Sequence, residues 1–272
     1  MAKVNALILT GFGLNCDYET AHAFELAGAV SRRVHINSLI DESVRLEDHH
    51  ILVFIGGFGW GDDHGAGVIQ AVRFKTHLGD RILEFVSRGR LVLGICNGFQ
   101  ALVNMGLLPG FDGDYLSRSV ALINNECGNF RNQWVRLQVN TRSPCVFTKG
   151  IVQADFPVRH GEGKLYAADA VIQRLQEDQQ IALRYARADG SPAGGRFPYN
   201  PNGSVEDIAG ICDPTGRIFG LMPHPEAYHD WTNHPDWPRQ REAARRSSEP
   251  YGTGDTVGIQ LFRNAVEFIR SV

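Results

Sequence analysis

The sequence predicts an α/β fold, with a mostly parallel sheet and helices on both of its faces. Three observations predict it. Short apolar runs recur at 5–10, 51–55 and 91–95. Helical spacing follows each of them. Most of the runs are apolar on both faces, as strands buried between two helical layers must be.

The elements follow in order. Asn5-Ala6-Leu7-Ile8-Leu9-Thr10 reads as a buried strand. Gly11-Phe12-Gly13 turns the chain, and Asp17 is placed to cap a helix through Phe24 and Leu26 that Gly28 can end. A short strand is expected near Val34-His35-Ile36. Ile51-Leu52-Val53-Phe54-Ile55 is a strand closed by Gly56-Gly57. Helical spacing over 66–88 (Val68, Val72, Ile82, Phe85, Val86) predicts a helix, with a break at Gly79. Gly89 then precedes the run Leu91–Ile95. After about residue 115 the strands shorten and alternate, as in Trp134–Val139 and Ile181–Tyr185. A helix is expected over 168–177, a late buried strand over Ile218–Met222, and a last helix over 257–270. That helix carries the stripe Leu261, Phe262, Ala265, Val266, Ile269. Residues 229–256 are rich in Pro, Trp, Arg and Ser and read as a long surface loop or insertion. No repeat, low-complexity tract or long linker divides the chain, so 1–272 reads as a single domain.

Composition narrows the class. The net charge of −3 provides no basic field, which argues against nucleic acid or an anionic membrane as partner. No apolar run is long enough to span a bilayer. The N-terminus lacks the cleavage region of a signal peptide. The five cysteines are odd in number, scattered and without a C-x-x-C pair. That argues against a zinc ribbon and a disulfide framework, and a reducing cytoplasm is the expected location.

The chemistry centres on Gly94-Ile95-Cys96-Asn97-Gly98. A buried strand ends at a cysteine between glycines, and a helical pattern starts at once. This is the layout of a nucleophile elbow with Cys in place of Ser. The turn would leave the thiol exposed at the strand tip, and the helix start aims free N–H groups at the sulfur. A buried structural cysteine is the competing reading. Met222-Pro223-His224-Pro225-Glu226 weighs against it. In an extended, proline-fixed segment, residues two apart point the same way, so His224 and Glu226 would supply a base and its orienter. The Asn97 N–H and the Gly56-Gly57-Phe58 turn are candidate donors to a developing oxyanion. Asp62-Asp63-His64 reads as a water-facing turn. His229, Asp230, His234 and Asp236 match no metal-ligand spacing, so no metal is expected. Arg239, Arg241, Arg245 and Arg246 form a local basic patch, by default a solvated face and otherwise a surface for an acidic partner.

Gly94–Gln100 together with Pro223–Glu226 resembles the signature of the class I glutamine amidotransferases. Further stretches are similar to the glutaminase of phosphoribosylformylglycinamidine synthase: Leu14–Asp17, Gly56–Asp62, Arg159–Gly163, Tyr199–Ser204 and Phe262-Arg263-Asn264. The similarity runs from the first strand to the last helix. It implies a flavodoxin-like three-layer sandwich and a thioester formed from free L-glutamine at Cys96. His224 would be the base and then the acid, and Glu226 its orienter. Gly57, Phe58 and Asn97 would line the oxyanion hole, with Gln100 near the bound glutamine. The resemblance assigns no chemistry to His160. It further implies that ammonia passes to a large synthetase subunit, with room for a small accessory subunit, in purine synthesis. ATP and Mg²⁺ would bind on that partner; this chain has no phosphate-binding G-x-x-x-x-G-K-[ST] loop and is expected to hold no cofactor. Two features depart from the pattern. Thr10-Gly11-Phe12-Gly13 lacks the usual Pro-Gly, and 229–256 is longer and more basic than in a minimal subunit. Two rivals share the site: a glutaminase subunit with another acceptor, and a stand-alone γ-glutamyl thiol hydrolase.

Overall fold

The computed structural model describes residues 3–272. In chain order the elements are β1 (Asn5–Thr10), α1 (Asp17–Leu26), β2 (Val30–His35), α2 (Ile36–Ile40), β3 (Ile51–Phe54), α3 (Val68–Ser87), β4 (Leu91–Ile95) and α4 (Asn97–Met105). Then come β5 (Val120–Asn124), β6 (Arg131–Val139), β7 (Gln153–His160), β8 (Glu162–Ala167), α5 (Asp169–Glu177) and β9 (Ile181–Ala186). β10 (Ile208–Cys212), β11 (Ile218–Leu221), α6 (Trp237–Ser247) and α7 (Val257–Ser271) complete the chain.

Among the described residues the main sheet has nine strands in the order β2-β1-β3-β4-β11-β10-β9-β6-β7. From β2 to β11 the pairings are parallel. From β11 to β7 they are antiparallel. The alternating strands read after residue 115 are this antiparallel extension, and β5 pairs with β8 in a separate ribbon. β3, β4 and β11 are buried along their whole length, as central strands covered on both faces must be. α1 and α7 pack together, with Phe24 edge-on to Phe262 at 4.9 Å, while α3 and α4 pack together against the other side of the sheet.

Three elements differ from the sequence reading. Asp17 is the first residue of α1 instead of its cap, and its carboxylate pairs with Arg33 at 2.8 Å. α3 runs unbroken through Gly79. A lone glycine costs a helix only about 1 kcal/mol, and the buried stripe Phe74, Leu78, Ile82, Phe85 outweighs that. Residues 229–256 contain α6, so they are not simply a loop. α6 fully buries none of its residues, and Trp237 is its one large apolar side chain, so the sequence offers no long apolar stripe there. Its arginines pair locally: Arg239 with Asp236, Arg245 and Arg246 with Glu242, and Arg241 over the Trp237 ring. No described helix is long and apolar enough to cross a membrane.

The close approach of α4 to β3 fixes where Cys96 sits. A Cβ on Gly98 would lie 1.9 Å from the Phe54 carbonyl oxygen, a backbone atom that cannot swing away. Gly98→Ala is therefore expected to destabilise the fold by about 3 kcal/mol, the upper part of the overpacking range. A urea unfolding midpoint equal to wild type would contradict this packing.

Candidate active site

Cys96 lies at the junction of β4 and α4 with φ 52° and ψ −109°. A non-glycine residue at such angles costs about 1–3 kcal/mol and persists only where the surroundings over-determine it. Here they do. The Cys96 N–H donates to Leu221 O at 2.8 Å, and Cys96 O accepts the Gln100 N–H at 3.1 Å to open α4. The strained turn expected of an elbow is present. The exposed thiol is not: Cys96 is only 5% accessible. The end of β7 covers it, and the thiol donates to Arg159 O at 3.6 Å.

His224 stands just beyond β11, with its N–H donating to Pro157 O at 2.8 Å. Its Nδ1 is 2.5 Å from Glu226 Oε1, and the two residues are 2% and 0% accessible. The pairing is as expected, but the backbone reason differs. Pro225–Ala227 forms a single 3₁₀ turn, not an extended segment, and this turn folds Glu226 back onto the ring. Burial opposes charging of the His224 ring. The Glu226 carboxylate and then the Cys96 sulfur outweigh it, so the ring's affinity for a second proton is raised well above that of an ordinary imidazole, as a base for the thiol requires. Its Nε2 has no hydrogen-bond partner among the described residues. A Cβ on Gly56 would lie 2.7 Å from His224 Cε1, 3.2 Å from Cys16 Sγ and 3.5 Å from Cys96 Cβ. The imidazole and both cysteines thus surround one point above a glycine.

The loop after β3 is held against 13–15. Asn15 N–H donates to Gly56 O at 3.2 Å and Phe58 N–H to Gly13 O at 3.0 Å. The Phe58 amide is therefore already engaged, while the Gly57 amide has no partner among the described residues. The Asn97 N–H, first in α4, has no carbonyl one turn back to bond. The Asn97 side chain donates to Asp62 Oδ1 at 3.0 Å and is within 3.3 Å of Gln100 Oε1. Gln100 Nε2 donates to Glu162 O at 2.6 Å. Asp62 is thus part of the site's frame instead of a water-facing turn residue. Burial raises its pKa, with the Asn97 bond opposing.

Two side chains were given no role by the sequence. His160 is buried at the end of β7, with Nδ1 3.0 Å from Asn125 Oδ1. The Asn125 amide is oriented by two carbonyls, His160 O and Asn129 O, so its oxygen faces the ring and His160 Nδ1 carries the proton. Burial, then the charge of His224, pushes the His160 pKa down to about 3, so the ring is neutral. Cys16 packs beside the pair, its Sγ 4.0 Å from His224 Nδ1. Asn202 and Ser204 brace the segment that carries His160. Asn202 Nδ2 donates to Gly163 O at 2.8 Å, and Ser204 Oγ accepts the Leu165 N–H at 2.9 Å. His234, by contrast, lies against Trp134 and Tyr228, with its Nε2 3.9 Å from Asp155 Oδ2. A cleft of about 770 Å³ is lined by Thr215, Arg217 and residues of α7, at the opposite end of β11 from His224.

Residues 3–269 match the model of the CobB/CobQ-like glutamine amidotransferase domain. The chain belongs to that glutamine amidotransferase family. It is 44% identical over 270 residues to the phosphoribosylformylglycinamidine synthase subunit PurQ of Methanococcus maripaludis, covering 98% of this chain and 99% of that one. It is 44% identical to the PurQ subunit of Dehalococcoides mccartyi over the full length of both. A chain in the structure of PurLQS from Thermotoga maritima superposes with a TM-score of 0.70 at 27% identity, covering 98% of this chain and all of that one. For an amidotransferase, the arrangement offers a thiol, an imidazole held by a carboxylate, and two main-chain N–H groups near the thiol.

Gly56→Ala tests the geometry without removing any reactive group. The added methyl must displace the His224 ring, and a misplacement of about 1 Å costs on the order of 100-fold in rate. A fall in glutaminase kcat of at least about that size is expected, with the unfolding midpoint little changed. Unaltered kcat would show that the ring is not held where it is described.

Proposed function

We propose that this chain is the glutaminase subunit of a phosphoribosylformylglycinamidine synthase. One observation carries the reading. A cysteine held in a strained elbow faces a buried His–Glu pair, in a chain that matches PurQ subunits at 44% identity over their full length. The Cys96 sulfur attacks the side-chain amide carbon of free L-glutamine. The His224 Nε2 takes the thiol proton and returns it to the departing ammonia, while Glu226 holds the ring from Nδ1. The Gly57 and Asn97 N–H groups receive the oxyanion, and Gln100 and Asn97 border the glutamine. Phe58 contributes through its position in the loop, because its amide is bonded to Gly13 O. Water then cleaves the thioester with His224 as base, releasing glutamate. Substrate entry requires the segment around Arg159 to give way, since that segment covers the thiol.

Ammonia passes in this reading to a large synthetase subunit that binds ATP and Mg²⁺, in the cytoplasm, with a small accessory subunit accommodated beside it. The stand-alone hydrolase reading predicts full activity without a partner.

The test uses the assembled complex. Cys96→Ala is expected to lower glutamine-dependent synthesis at least about 1,000-fold, with ammonia-dependent synthesis within about twofold of wild type. Loss of both activities would make Cys96 structural. A glutaminase rate indifferent to any synthetase would remove the subunit assignment.

A further inference from the structure

Among the described residues, one group of three His, Cys, Asp or Glu side chains brings a donor atom from each within 4.8 Å of the others: Cys16, His224 and Glu226. The sequence offered no such grouping, because Cys16 and His224 are 208 positions apart. We propose that these three residues form a site for a divalent cation of zinc's chemistry, and that filling it switches the thiol–imidazole pair off.

The donor set suits such a cation: one sulfur, one imidazole nitrogen and one carboxylate oxygen. Thiolate and carboxylate together balance a charge of two, so the buried cluster would be neutral overall. The spacing is close to what a tetrahedral centre needs. With metal–ligand bonds of about 2.0–2.3 Å, neighbouring donors sit about 3.3–3.6 Å apart. Cys16 Sγ is 4.0 Å from His224 Nδ1, and Glu226 Oε1 is 2.5 Å from it. The sulfur has to close, and the carboxylate to open, by less than about 1 Å. A further observation concerns the same carboxylate: among the described residues Glu226 Oε2 is buried without a hydrogen-bond partner, in a residue that is 0% accessible. A carboxylate oxygen in that state has an unmet need for a cation or a donor. Cys16 Sγ has nothing stronger than a 3.5 Å contact to Asn15 Oδ1 to hold it back.

The site lies on the Nδ1 side of the ring, whereas the Cys96 thiol is bonded to Arg159 O. In the resting ring Nδ1 carries the proton toward Glu226 and Nε2 is free to take one from Cys96. Binding releases the Cys16 thiol proton to solvent and moves the ring proton from Nδ1 to Nε2. With Nδ1 on the cation and Nε2 protonated, the ring cannot accept the Cys96 proton, so thioester formation stops. The cation site itself is independent of the proposed reaction; only the switching-off rests on it.

Spectroscopy and kinetics separate the two parts. Cobalt(II) added to the Cys96→Ala chain is expected to give a thiolate-to-metal charge-transfer band that zinc(II) abolishes. With Cys96 intact, Cys16→Ala and the size-matched Cys16→Ser are expected to lose the band and to bind zinc at least about tenfold more weakly. A band that survives both Cys16 variants, or that is missing from Cys96→Ala, overturns the site. In the glutaminase assay, zinc(II) is expected to inhibit wild type in a way that saturating glutamine does not relieve. Cys16→Ala is expected to remain active and to need at least about tenfold more zinc for the same inhibition. Relief by glutamine, or equal inhibition of Cys16→Ala, would place the cation on Cys96 and overturn the switch.

Discussion

The parallel pairing of β4 with β11 sets Ile95 beside Leu221, and Leu221 O takes the amide of Cys96 at 2.8 Å. That register delivers the cysteine and the His224–Glu226 turn to the same edge of the sheet. A slip of one residue would put the thiol on the other face of its strand. The glycines serve this constraint. Gly98 lets α4 press onto the end of β3, and Gly56 leaves room for the imidazole between two cysteines. The strain at Cys96 is held by this packing, which is why a rigid core surrounds a residue with an unfavourable backbone.

The antiparallel half of the sheet does more than extend it. β7 reaches back so that Pro157 O receives the His224 amide and Arg159 O receives the thiol. The same strand end carries His160, kept neutral by burial and oriented through Asn125. The sheet thus closes over the Cys96 thiol. The polar frame of Asp62, Asn97, Gln100 and Glu162 links the loop after β3, the first turn of α4 and the start of β8 into one hydrogen-bonded wall. Loops from distant parts of the chain are held together there by side chains.

Much of this was legible in the sequence, because the signals were local. An apolar run that ends at Gly-Ile-Cys-Asn-Gly states strand, turn and helix within a few residues, and the stripe of α7 is a clean helical period. Cys96, His224 and Glu226 could be named because their motifs carry their chemistry. What could not be read depends on distance or on missing contrast. α6 has only Trp237, Pro238 and two alanines as apolar residues, too few to make a readable stripe. Cys16 reaches His224 because the start of α1 packs against the turn after β11, a meeting that no local pattern encodes. The cover over Cys96 comes from β7, an alternating strand whose destination its own residues do not specify. Likewise, the Phe58 amide looked free until its bond to Gly13 O appeared.

In the proposed reaction the Cys96 sulfur, although covered, is the group in this chain that reacts with a γ-glutamyl carbon. Incubation with a γ-glutamyl electrophile followed by peptide mass spectrometry checks this. A single adduct is expected, on Cys96, formed much more slowly in His224→Ala. Comparable labelling of Cys16 or Cys127, or labelling of Cys96 that is indifferent to His224, would contradict it.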